Sequence, residues 1–425
     1  MFTTSFSTAL SALSATSTAI DVVGNNLANL NTPGFKTSVV CFRDMVTQSL
    51  GAGLGDTQVG FGTGTPLTIR QFTQGAIQPS SGLLDAAIQG DGFFVLQDPA
   101  SGVMSYTRAG NFQVDKSGNL LTRTGDRVMG WTAIDATTRQ VNTNGAVSNI
   151  VVPVGSVKAP VATTNFTVDL NLDSGAAADT TSAFTTPVTV YDSLGTSHVL
   201  TLNFQKTGAN AWSYQVTIPG DEISGGTAGT PFPISGASGT FTFGNQDGLL
   251  TDPAFGSPMA FQIPGLSDGA KDLDLSWDPY TSGGAGRITQ FGQKSAPSAQ
   301  SQNGSPAAEL SDVGLADGGQ VLAHYTDGTQ VLVGQLALAS IPNPDSLVAG
   351  GNNRFMLSSR TATPSIGVPS TGGRGSISGG SIEASTVDIA REFTSLIVYQ
   401  RGYEANSKVI TTADTLSQTT INLIR

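Results

Sequence analysis

Hydrophobic positions along this chain follow two different periods. Near the start, Phe6, Leu13, Ile20 and Leu27 recur every seven residues, with Leu10 between them. Small residues, Ala9, Ala12, Ala15 and Ala19, fill the gaps. Such a repeat predicts a helix with a narrow apolar seam at coiled-coil period. Asn31-Thr32-Pro33-Gly34 stops it, as turn formers do. At the far end Ile382, Ile389, Leu396, Tyr403, Ile410 and Ile424 keep the same beat, interrupted only at Ser417, and Phe393, Ile397 and Ile421 widen the stripe. A helix over 382–423 would run about 60 Å. The first helix is rich in Ser and Thr, which are mediocre helix formers. Helices of this kind draw their stability from packing an apolar face. Each end therefore needs a partner. The other end is the first candidate, and a narrow seam also admits partners from other chains.

Between about 70 and 370 the period changes to two. Val188 and Val190 alternate before the turn Asp192-Ser193-Leu194-Gly195-Thr196, and His198, Leu200, Leu202 and Phe204 alternate after it. That predicts a hairpin. Trp212, Tyr214, Val216 and Ile218 alternate again, as do Leu273, Leu275 and Trp277. Phe93 to Leu96 is a short apolar run after Gly90-Asp91-Gly92. Tyr106 to Asp115 and Leu120-Leu121 flank the turn Lys116 to Asn119. Val321 to Thr326 and Val331 to Ala339 are set off by Asp317-Gly318-Gly319 and Asp327-Gly328-Thr329. Turn signals this frequent predict all-β modules, sandwich or barrel. Three stretches read as connectors: 51–65, glycine-rich; 292–306, rich in Gln, Ser, Ala and Pro; and 364–380, rich in Gly, Ser and Pro. The expected fold is mostly β with α-helical termini. The terminal helices pair as a coiled-coil-like inner domain, and two β-rich domains are nested within.

Composition narrows the function. Of 425 residues only 12% are charged and 52 are glycine, and the net charge is −11. A chain of this sign lacks the basic face that nucleic acid or an anionic membrane requires. No apolar run approaches the ~20 residues of a membrane span. Residues 1–35 hold no Lys or Arg and one acid, Asp21, which does not read as a secretory signal. The single cysteine, Cys41, rules out an intrachain disulfide framework and a Cys-rich zinc site. A shortage of cysteine also suits a chain that travels unfolded.

Candidate chemistry is thin. Gly265-Leu266-Ser267-Asp268-Gly269 matches the nucleophile-elbow spelling, but Pro264 precedes it and a period-2 strand follows, so a turn is expected. Asp115 to Asn119 resembles a calcium loop only in part: its glycine falls two positions early and no glutamate stands at loop position twelve. The glycines of 51–65 form neither a dinucleotide nor a phosphate-loop motif. His198 and His324, the only two histidines, are read as packed or surface residues, and Cys41 as a small buried apolar residue. No catalytic, cofactor or metal residue is expected, and no small-molecule substrate.

Longer motifs at both ends carry a resemblance. Asn25-Asn26-Leu27-Ala28-Asn29 followed by Thr32-Pro33-Gly34-Phe35-Lys36, with Phe42 and Asp44 behind, resembles the N-terminal signature of the flagellar rod and hook protein family. Glu383-Ala384-Ser385, Val387-Asp388, Glu392-Phe393, Gln400-Arg401-Gly402-Tyr403 and Ala405-Asn406-Ser407-Lys408, with Thr412 and Asp414, resemble its closing signature. Gly90 to Phe94, Tyr106 to Phe112, Asp115, Gly118-Asn119-Leu120 and Gly125 resemble its shared β-domain. Thr386 departs from the family, which usually has Asn there, near the expected start of the C-terminal helix. Rod members are short, whereas this chain carries a large central insertion. Val188 to Gly195 and Asn343-Pro344 look like features of hook members; a distal rod protein is the alternative.

The resemblance implies a structural, non-enzymatic subunit without cofactors. It would polymerise with itself into a hollow helical tube that bends while passing torque from rod to filament. It implies export through the flagellar type III apparatus without a cleaved signal, and a place at the hook and basal body outside the cell surface. The neighbours implied are the distal rod protein, the hook–filament junction protein and the hook cap. The domains expected are 1–70 plus 372–425 for assembly, 71–145 plus 300–371 for the shared β-domain, and 146–299 for an outer β-domain. The subunit interface is expected at Phe6, Leu10, Leu13, Ile20, Leu27, Ile389, Phe393, Leu396, Tyr403 and Ile410. The signature positions are Asn25, Asn26, Asn29, Pro33, Gly34, Phe35, Gln400 and Asn406.

Overall fold

Two long helices and a set of β-sheets make up the computed structural model, which describes residues 2–45, 47–49, 58–135, 138–179 and 182–423. The chain divides into two compact units. One comprises 1–154, 312–324 and 330–425; the other comprises 155–311 and 325–329.

In the first unit, helix α1 spans Phe2–Ala28 and helix α2 spans Ile389–Leu423. α1 is followed by a turn in which Gly34 takes φ +68°. The strand Ser38–Cys41 then pairs antiparallel with Leu67–Arg70. α2 begins later than its apolar stripe suggests. Ile382 lies in the strand Ser381–Glu383, paired with Ile77–Pro79. Asp388 sets the start, because its Oδ1 accepts the N–H groups of Ala390 and Arg391 at 2.9 and 3.2 Å, as an N-cap does. Thr386 lies outside the helix and its hydroxyl accepts the Thr37 N–H at 2.9 Å. Ile424 falls outside the described residues. By length and composition Phe6–Ala28 would suffice to cross a membrane. Ala, Ser and Thr dilute that segment without charging it, which corrects the impression from its apolar residues alone.

The larger sheet of this unit places Gln320–Tyr325, Gln330–Leu336, Arg127–Trp131, Phe93–Gln97 and Met104–Thr107 side by side in that order. Phe93 to Leu96 are all buried because both faces of their strand are covered. On one side Phe93 meets Phe72 and Phe355 edge-on, at 5.5 and 5.9 Å between ring centroids. On the other, Phe94 meets Phe112 edge-on at 5.1 Å. The hairpin around Lys116 to Asn119 forms as expected, between Phe112–Val114 and Leu120–Thr122.

The second unit has two five-stranded sheets. In one, Phe184–Tyr191, Ser197–Gly208, Ala211–Pro219, Pro231–Phe243 and Leu250–Asp252 run antiparallel in sequence order. In the other, Asn165–Asp173 pairs with Leu273–Trp277, Ile288–Phe291 and Ala296–Gln302, and Met259–Ile263 flanks Leu273–Trp277. Inward positions alternate with outward ones, as one buried face demands. Val188, Val190, Leu200, Leu202, Phe204, Trp212 and Val216 all point in and join one core with Phe166, Phe241 and Trp277.

All three expected connectors are partly strand. Ala296–Gln302 pairs antiparallel with Asn165–Asp173. Its side chains are almost all exposed, so no apolar alternation marks it. Within 364–380, Ser365–Gly367 pairs with Leu338–Ser340 and Ser376–Gly379 pairs with Ala86–Gln89. In the glycine-rich stretch 51–65, residues 51–57 lie outside the described residues, and Gln58–Gly60 pairs with Thr47–Ser49. Cys41 ends its strand half-buried and not in a core. Residues 265–269 form a turn between two strands, not a strand-to-helix elbow.

Candidate assembly surface

The two terminal helices pack against one another in antiparallel sense. Asn26, near the end of α1, meets Glu392 in the first turn of α2 at 3.2 Å. Farther along, a Cβ built on Gly402 would sit 3.9 Å from Thr16 Cγ2. The face of α1 that becomes buried is made of Ala9, Ala15, Thr16, Ala19, Val23 and Asn26. These positions include two heptad rows, 9–16–23 and 19–26, offset from the row of large residues. Small side chains let two backbones approach closely, yet they bury little apolar area, and each buried CH₂ contributes only about 0.8 kcal/mol.

The large residues are left outside. Phe6 and Leu10 are 44% and 53% exposed, and Ile389, Phe393 and Tyr403 are 47%, 51% and 43% exposed. Leu13, Ile20, Leu27, Leu396 and Ile410 are half-buried. Ile397, Val409, Leu416 and Ile421 add to the exposed set. A contiguous run of this kind on a helical surface marks an interaction site. Of the ten expected interface residues, five are thus exposed and five half-buried. The positions of α1 that are fully buried are those of the small-residue face. The signal was present in the spacing of Ala9, Thr16 and Val23.

Six of the signature residues, Asn25, Asn26, Asn29, Pro33, Gly34 and Phe35, lie at the foot of this helix pair, while Gln400 and Asn406 lie within α2. Asn26 is buried; its side chain donates to Ser38 O at 2.8 Å and accepts the Ser38 N–H at 3.1 Å. Asn29 donates to Asn25 O at 2.9 Å and so closes the last turn of α1. Pro33 O accepts from Asn353 Nδ2 at 2.9 Å. Gly34 could be no other residue without movement. Its φ is left-handed, and a Cβ would lie 2.6 Å from the backbone of Arg108 and Ala109. Its N–H donates to Glu383 O at 2.8 Å, and the buried Phe35 accepts from the Thr386 N–H at 3.1 Å. Asn406 donates to Gly402 O within α2 at 2.8 Å, and Gln400 is exposed. A cleft of about 490 Å³ opens beside Asn25, Asn29, Pro33, Arg70 and Asn353.

A buried charge cluster, not foreseen from the sequence, binds the two ends of the chain where they enter the β-structure. Lys36 Nζ lies 2.7 Å from Glu383 Oε1, and Arg108 Nη1 lies 3.5 Å from Glu383 Oε2. All three side chains are almost wholly removed from solvent. Lys36 also donates to Thr73 O at 2.6 Å, and Gly75 N–H donates to Glu383 Oε1 at 2.7 Å. Burial pushes the Lys36 ammonium below its ordinary pKa, against the upward pull of Glu383. One carboxylate thus holds two buried cations and a backbone donor.

Comparison with known proteins gives a consistent picture. Four family models match: Flagella basal body rod protein over residues 6–36, Flagellar hook protein FlgE/F/G D1 domain over 87–169, Flagellar basal body protein FlaE D2 domain over 169–305, and Flagellar basal body rod FlgEFG protein C-terminal over 378–423. The chain is 32% identical to the flagellar hook protein FlgE of Borreliella burgdorferi, covering 96% of both chains. It is 33% identical to that of Treponema pallidum, again over 96% of each. With that of Escherichia coli it shares 31% identity over 98% of this chain and 99% of the relative. A solved structure of Helicobacter pylori flagellar hook protein FlgE2 aligns at 14% identity with a TM-score of 0.48, over 66% of this chain and 94% of that one.

Proposed function

The chain belongs to the flagellar hook protein family, and from that premise we propose that it is the structural subunit of a bacterial flagellar hook. It self-assembles into a hollow helical tube, a flexible universal joint that carries motor torque from rod to filament. The observation that carries the assembly mechanism is the division of labour on the terminal helices. Small residues join the two ends of one chain, while Phe6, Leu10, Ile389, Phe393 and Tyr403 stay outside with apolar surface to bury. Further copies of the same chain are the partners that cover it.

In this reading residues 1–70 and 372–425 build the inner wall, and 71–145 with 300–371 and 146–299 form the outer layers. Bending then needs outer contacts that exchange cheaply while the inner contacts hold. Many small wet contacts do this more easily than one large apolar interface. The role is mechanical and needs no cofactor. At its ends the tube meets the distal rod protein, the hook–filament junction protein and the hook cap. The chain reaches the flagellum through the type III export apparatus without a cleaved signal, in keeping with its lone cysteine. The termini gain full order on assembly, since burial by neighbours offsets their ordering entropy.

Deleting the gene and imaging the cells by negative-stain electron microscopy tests the role. Bare rods lacking hook and filament, restored by the wild-type gene, are expected. Loss of the rod as well would move the protein to the distal rod, and intact motile flagella would overturn the reading. Leu13→Asp or Leu396→Asp tests the interface: tubes should fail to form while the β-units stay folded.

A further inference from the structure

We propose that the second unit carries a divalent transition-metal site of the zinc class, formed by His198, Asp192 and Asp268. Their candidate ligand atoms all lie within 4.8 Å of one another. His198 Nε2 faces Asp192 Oδ2 at 3.2 Å, and its other ring nitrogen, Nδ1, lies 2.7 Å from Glu222 Oε2. This is the arrangement of a metal-binding histidine, in which a carboxylate takes the Nδ1 proton and turns the Nε2 lone pair toward the ion. One nitrogen and two carboxylate oxygens suit a borderline divalent ion, with a fourth position open to water.

The surroundings hold these groups in place. Asp192 and His198 are buried at 0% and 3% exposure. Asp192 Oδ1 is occupied by the N–H groups of Leu194 and Thr196, at 2.8 and 2.9 Å, which aims Oδ2 at the histidine. Asp268 stands at the rim, exposed to solvent. Its loop is fixed to both neighbours. Ser267 N–H donates to Glu222 O at 2.9 Å, and Ser224 N–H donates to Gly265 O at 2.8 Å. Lys271 N–H donates to Ser193 Oγ at 3.1 Å. Two ligands are thus preset and buried, and the third closes from the surface. A tetrahedral ion with bonds of about 2.1 Å needs ligand atoms roughly 3.4 Å apart, so the exposed Asp268 carboxylate has only a short way to move.

The test uses purified full-length chain, stripped with chelator and equilibrated with zinc chloride, with bound metal counted after dialysis. One zinc per chain and a chelator-reversible rise in melting temperature are expected. Asp268→Asn, at an exposed position, should keep the unfolding behaviour of the stripped protein and lose at least tenfold in zinc affinity. Glu222→Gln should weaken binding by about 10- to 100-fold through the orientation of His198. Absence of zinc uptake by the unaltered chain would overturn the proposal. So would uptake that Asp268→Asn leaves unchanged, since the ion would then sit elsewhere, as beside the half-buried pair of His324 and Asp312. These outcomes do not bear on the hook assignment.

Discussion

The core of the second unit and the contact between the terminal helices solve the problem of burial in opposite ways. In the sheets of 155–311, Trp277 is completely buried, stacked on Phe166 at 5.8 Å and set edge-on to Phe204, Tyr214 and Phe241. Those aromatic rings each remove about 150–250 Å² from water. In the helix pair the fully buried residues of α1 are Ala9, Ala15, Thr16, Ala19, Val23 and Asn26, while Phe6, Leu10, Ile389, Phe393 and Tyr403 are exposed. The first region is complete within one chain. The second buries mainly small side chains and leaves large apolar ones exposed, the surface proposed above to be covered by further copies. A polymer subunit needs both: a body that keeps its shape during assembly, and ends whose stability is supplied by neighbours.

The largest expected effect falls on the self-sufficient region. Trp277→Ala should cost about 3–5 kcal/mol and lower the melting transition of the sheets in scanning calorimetry. A loss below about 1 kcal/mol would show that this core is not what holds the unit. Glu383→Ala should cost a similar amount, about 3–5 kcal/mol, because it strands two buried cations. Lys36→Met should be milder, since Arg108 and the Gly75 N–H still face the carboxylate. Equal losses in chemical denaturation would remove Glu383 from its central place. Ala19→Leu should cost about 1–3 kcal/mol by overpacking the close helix contact, read as loss of amide protection in both helices. The smallest effect on the isolated chain, within about 0.5 kcal/mol, is expected for Phe393→Ser, at a position 51% exposed. That variant should nevertheless fail to form tubes in electron micrographs. A normal polymer from it would collapse the contrast between the two regions.

Periodicity made the helices and most strands legible, because each presents a strong apolar repeat. Hairpins such as Phe184–Tyr191 with Ser197–Gly208 follow directly from alternation around a turn. Five features escaped for physical reasons. Ala296–Gln302 is a strand with exposed side chains, so it has no apolar side to alternate. Ile382 continues the helical beat by spacing alone, but the cap at Asp388 overrides it. The alanine face was visible yet read as background, because alanine contributes little to a hydrophobic pattern while mattering greatly to how closely helices approach. The Lys36–Glu383 pair, 347 residues apart in sequence, leaves no local mark at all. His198 looked like one more strand residue; only folding brings Asp192, Glu222 and Asp268 around it. The motifs that resemble the flagellar family were legible in full, and several of them surround the buried charge cluster.

That cluster has a mechanical consequence. The segment after α1 is bound through Lys36 to Glu383 of the strand before α2, so the helix pair is joined to the β-structure by two tethers side by side. A single tether transmits tension but swivels freely about its own bonds. Two tethers clamped at a common point resist being wound around one another.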